Sequence, residues 1–125
     1  MELDVRLSGG ERVVVAGGGQ EIVTDQDGSA PDPFTLFLAS IGACAGFYVA
    51  RFCRQRGIPT HGIALRQRFD KDENGRVREI DLELSLPDSF PEAYRGAVLR
   101  AAEVCKVKRH LEASPRVHLH LHAPV

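Results

Sequence analysis

The residues best suited to chemistry are three cysteines. Cys44 and Cys53 lie in the apolar and small segment FLASIGACAGFYVARFC, and Cys105 lies in AAEVCKVKRHL. Thiols can fill a core, ligate a metal or carry out redox chemistry. Each helical residue turns about 100°. Cys44 and Cys53, nine positions apart, therefore face opposite ways on one helix. They cannot bridge while that helix is intact. Any pairing needs Cys105, and spacing alone leaves open which helix cysteine it meets.

Each candidate has a plain structural alternative. A lone mid-helix cysteine is more often a small core hydrophobe than a nucleophile, and that reading suits Cys53. Cys44 differs through its neighbours Gly42, Ala43, Ala45 and Gly46. A glycine costs a helix interior about 1 kcal/mol relative to alanine. Two of them imply close approach of another element, or of a substrate, to this stretch. His118, His120 and His122 alternate in RVHLHLHA and share one face of an expected strand. Three imidazoles invite a metal. Their spacing of roughly 6.5–7 Å along a strand prevents all three from converging on one ion, so they read as a polar strand face. A site from Cys105 and His110 matches no zinc spacing. The glycines at 17–19 precede a strand and lack a Gly-Lys-Ser/Thr ending, so they form a turn rather than a phosphate loop.

The elements that must position these residues follow from periodicity. Glu2–Leu7 alternates as a half-buried strand, RVVVAG reads as a second strand and EIVTD as a third. Asp32 before Pro33 predicts a helix start. The helix should run to about Arg56 and stop at Gly57, with Arg51, Arg54 and Arg56 as a solvated basic end. GIALRQRFDKD and RVREIDLELSLP are alternating runs joined by DENG, and Asn-Gly there signals a hairpin. SFPEAYRGAVLRAAEVC predicts a second helix capped by Ser89, with Cys105 on its apolar stripe. A short helix follows over 107–112, and SPRVHLHLHAPV predicts a last strand. The order βββ-α-ββ-α-(α)-β is an α+β pattern, and 125 residues suit a single domain, 1–125.

Composition sets the function class. The chain is 43% hydrophobic and 26% charged, with formal net charge −1, which gives no electrostatic grip on nucleic acid or an anionic membrane. The N-terminus has no signal-peptide pattern. The apolar run from Pro33 to Ala50 is broken by Thr35, Ser40 and glycines, so it reads as a buried helix of a soluble protein. The expected compartment is the cytoplasm, where thiols stay reduced.

DPFTLFLASIGACAGFYVARFCRQRGI resembles the central helix of the OsmC/Ohr family, and LRAAEVCKVKRHLEASPRVHLHL resembles its second half. The resemblance covers most of the chain, and the first thirty residues match in pattern only. It implies an intertwined homodimer around two long helices. It implies a thiol peroxidase acting on organic hydroperoxides or H2O2, with Cys44 peroxidatic and Cys105 resolving. An external dithiol would reset the pair, and no metal or organic cofactor is implied. The family's glutamate, which orients a pKa-lowering arginine, aligns at Phe34 or Thr35, and the early loop AGGGQEIVTDQDG has no arginine. A buried thiolate without a cation has a raised pKa. Lys106 stands where the family usually has proline. Lys106, Lys108 or Arg109 are candidate cations, and Asp32 is a candidate carboxylate. The alternative reading is a catalytically silent dimer that binds a small apolar ligand.

Overall fold

The computed structural model describes residues 1–122. It divides into two compact units, Met1–Ser40 and Ile41–Val125. In the first unit, β1 (Asp4–Leu7), β2 (Val13–Gly17) and β3 (Gln20–Thr24) form an antiparallel sheet in that order. Val5 pairs with Val15, and Val15 with Ile22. The expected half-buried β1 is exposed along its whole length, because no layer of its own unit covers Leu3, Val5 and Leu7.

Helix α1 spans Pro33–Gln55. Asp32 caps it: its carboxylate accepts the Thr35 N–H at 2.7 Å, satisfying an otherwise orphan donor. The helix stops at Gly57, whose φ of 66° lets the Ile58 N–H reach back to the Cys53 carbonyl at 2.9 Å. At 23 residues, α1 is long and apolar enough to cross a membrane by length and composition. Its apolar stripe, however, builds a protein core. Val49, Phe52 and Cys53 pack with Phe90 and Val98, and Leu65, Leu84 and Ala101 close around them. Full burial of each larger side chain contributes about 1.5–3 kcal/mol.

β4 (Ala64–Lys71) and β5 (Val77–Ser85) form the expected hairpin. Asp72 holds its turn, accepting the Asn74 and Arg76 N–H groups at 2.9 Å each, while Gly75 takes a positive φ. β4 lies close on α1. Leu65 and Gln67, alternate residues of one strand face, rest over Gly46 and Gly42, one helical turn apart. These glycines admit the strand, which is the close approach their placement implied.

The second long helix is shorter than expected. Ser89 does not cap it; Phe90 is buried instead, and a 3-10 turn, Glu92–Tyr94, follows Pro91. α2 covers Arg95–Glu103, and the chain leaves helical geometry at Val104. Cys105 is thus the first-turn cap of α3 (Lys106–Glu112) rather than part of α2. The expected last strand is absent over 114–122, and residues 123–125 of that expectation lie outside the described residues. A strand needs a hydrogen-bonding neighbour. This tail has none among the described residues, and Val117, Leu119 and Leu121 are at least 90% exposed.

Candidate active site

Helix α1 presents Cys44, and the α2–α3 junction presents Cys105. The two thiols lie close enough to shift each other's pKa, Cys44 downwards and Cys105 upwards. The Cys105 sulfur also lies 3.9 Å from the Ile41 carbonyl on α1. Cys53 points the other way, fully buried in the core, where burial pushes its thiol pKa up. Of the two pairings left open by spacing, the fold brings Cys105 to Cys44.

The start of α3 explains the electrostatics. A helix leaves its first N–H groups without internal partners. Here the Cys105 carbonyl accepts from Arg109 at 3.0 Å and the Cys105 sulfur accepts from Lys108 at 3.4 Å. The remaining donors, the Val107 and Lys106 N–H groups, act on the Cys44 thiol and lower its pKa. Burial pushes Cys44 up. The Val107 N–H, the Cys105 thiol, the Lys106 N–H and the Arg109 charge together outweigh it, so its pKa falls below the ordinary thiol value. Cys105 is raised by burial, against the Lys108 N–H, and further by its donation to Cys44. Within the pair, the Cys44 pKa is lowered and the Cys105 pKa is raised.

The expected charge partners divide. Arg109 acts on Cys44 through its charge. Lys106 acts through its main-chain N–H, while its carbonyl meets His110 Nδ1 at 2.7 Å. Lys108 donates its N–H to Cys105. Asp32 serves as the α1 cap. Phe34 stacks on Phe37 with ring centroids 5.8 Å apart. Of the three candidate cations, Arg109 lowers the Cys44 pKa through its charge, and the peptide donors at the start of α3 add to it. A non-proline residue directly after Cys105 was the available signal, since proline has no N–H.

Cys105 lines a cavity of about 290 Å³, walled mainly by apolar residues such as Ile41, Ala45, Leu82 and Leu99, with Lys108 among its polar ones. His118, His120 and His122 are exposed, and among the described residues no group of three His, Cys, Asp or Glu side chains could hold a metal ion.

The OsmC-like protein family model matches residues 26–120. Among solved structures, a protein from Psychrobacter arcticus 273-4, described as an osmotic stress induced and detoxification response protein, superposes with a TM-score of 0.72 at 19% identity. It covers 86% of this chain and 85% of that one. An OsmC-like protein from Mycoplasma pneumoniae gives 0.71 at 13% identity, covering 90% and 87%. The organic hydroperoxide resistance protein OhrB of Bacillus subtilis gives 0.50 at 19%, covering 88% and 90%. At these identities the likeness is one of fold. No curated protein sequence matches significantly.

Proposed function

The chain belongs to the OsmC-like protein family, and we propose that it is a two-cysteine thiol peroxidase with Cys44 as nucleophile and Cys105 as resolving thiol. The observation that carries this reading is the placement of the pair: Cys105 caps α3 against the Ile41 carbonyl of α1, beside Cys44, whose pKa is lowered while that of Cys105 is raised. The names of the P. arcticus and B. subtilis relatives, detoxification and organic hydroperoxide resistance, support the same chemistry.

The Cys44 thiolate attacks the terminal oxygen of a hydroperoxide. An S–O bond forms, the O–O bond breaks, and the alkoxide takes a proton to leave as alcohol, giving a sulfenic acid. The Cys105 sulfur then attacks Cys44, forming a disulfide and releasing water. An external dithiol reduces the disulfide by two exchange steps and is itself oxidised to a disulfide. The working unit in this proposal is a cytoplasmic homodimer. Exposed apolar residues on α1, Ala43, Phe47 and Ala50, support a second copy, since they recur on one helical face.

One observation favours a second reading. The cavity beside Cys105 would suit a small apolar ligand without any turnover. Stopped-flow consumption of cumene hydroperoxide and H2O2 by the reduced protein separates the two. Peroxidase action requires fast turnover, abolished by Cys44→Ser, and a trapped sulfenate in Cys105→Ser. A rate no greater than that of a free thiol would leave only the ligand-binding reading.

A further inference from the structure

Four residues follow one another along α1 at helical spacing: Cys44, Tyr48, Arg51 and Gln55. Seven residues of helix return to within about 20° of the starting bearing and advance about 10.5 Å. Arg51 therefore lies on the same stripe as the Cys44 sulfur, two turns further on.

Beside this stripe the structure has a groove of about 280 Å³. Tyr48, Arg51, Gln55 and Arg56 line it together with Phe52 and Val104. Arg56 is fixed in place: its guanidinium lies 3.7 Å over the Phe52 ring and donates to the Phe52 carbonyl at 3.3 Å. Arg51 has no hydrogen bond or ion pair among the described residues, and no carboxylate lines the groove. The groove thus offers two guanidinium groups, one of them uncommitted, beside an apolar floor.

We infer that this groove binds an anionic oxygen group, carboxylate or phosphate, on a molecule whose other end reaches Cys44. Arg51 holds the anion through a charge-assisted fork of donors, and Phe52 and Val104 carry the adjoining apolar chain. The negative end of the α1 dipole opposes an anion here, and the two guanidinium groups offset it. This inference rests on Cys44 as the reactive thiol, and it names a selectivity determinant of that reaction.

The test compares an alkyl hydroperoxide ending in a carboxylate with its methyl ester, using the full chain. The wild type should favour the acid in kcat/KM by about tenfold. Arg51→Gln should bring acid and ester to parity by raising KM for the acid. Arg54→Gln, an exposed charge on the same helix outside the groove, should keep the preference. Calorimetry with decanoate, decyl phosphate and decanol reads binding without chemistry. Both anions should bind more tightly than the alcohol in the wild type, and their relative affinities tell carboxylate from phosphate. Equal use of acid and ester by the wild type, or a preference that survives Arg51→Gln, overturns the inference. If no hydroperoxide is consumed at all, the peroxidase reading fails, and the calorimetric comparison alone decides whether the groove takes anions.

Discussion

The sulfur of Cys105 sits 3.9 Å from the carbonyl oxygen of Ile41, three residues before Cys44 on α1. Its single S–H proton therefore has two acceptors within reach, that carbonyl and the Cys44 sulfur. With Cys44 neutral, the carbonyl can take the bond. With Cys44 ionised, the proton turns to the thiolate, which is the stronger acceptor. The Cys105 thiol thus favours the ionised form of Cys44.

Alkylation kinetics should resolve the two sulfurs. The rate at Cys44 should rise with pH at a midpoint below that of an ordinary free thiol, and that at Cys105 at a midpoint above it. Iodoacetamide labelling read by mass spectrometry across pH checks the order. Coincident midpoints would contradict the asymmetry.

Lys106→Pro isolates the main chain. Proline suits the first helical position, so α3 should persist, but the donor to Cys44 disappears. The Cys44 midpoint should move up. Lys106→Gln, which keeps the N–H, should leave it in place, and Arg109→Gln should raise it by removing a charge. The same labelling experiment reads all three variants.

Cys53 should make the protein sensitive to alkali. Its folded pKa lies above the unfolded value of about 8.5. Below that pH both states are protonated and the thiol contributes no slope. As pH rises further, the unfolded state ionises first and stability falls, until the folded pKa is passed. Cys53→Ala should cost about 1 kcal/mol at neutral pH, as for one lost buried methylene, and should flatten the alkaline decline. Urea denaturation over the pH range tests both effects.

Asp32→Ala should destabilise by about 1 kcal/mol through loss of the α1 cap. Peroxide consumption per folded protein should be unchanged. A large loss of rate at full folding would instead make Asp32 part of the reaction.

The two α1 glycines should respond differently to alanine. At Gly46 a new Cβ would meet Leu65 Cδ1 at 3.5 Å, an ordinary contact, so the helix-propensity gain of up to about 1 kcal/mol should appear. At Gly42 it would run into Gln67 Oε1, and Gln67 must move. That variant should be neutral or less stable. Denaturation midpoints of the two variants give the comparison.

Local chemistry made the first helix and the hairpin legible. Asp32, Pro33 and Gly57 carry their roles in their own side chains or backbone freedom, and so do Asn74 and Gly75. The end of α2 was not legible: Tyr94, Val98, Ala101, Ala102 and Cys105 keep helical spacing, yet the chain turns at Val104 and makes Cys105 a cap. The tail was misread because alternation in RVHLHLHA records what a strand would bury, while a strand also needs a neighbour. The cysteines themselves were legible as a pair only through resemblance. Two of the groups that lower the Cys44 pKa, the Val107 and Lys106 N–H donors, leave almost no trace in residue types.

That last property has an evolutionary consequence. A carboxylate–arginine couple is lost by a single substitution at either member. A donor carried by the peptide unit at Lys106 survives replacement by every amino acid except proline.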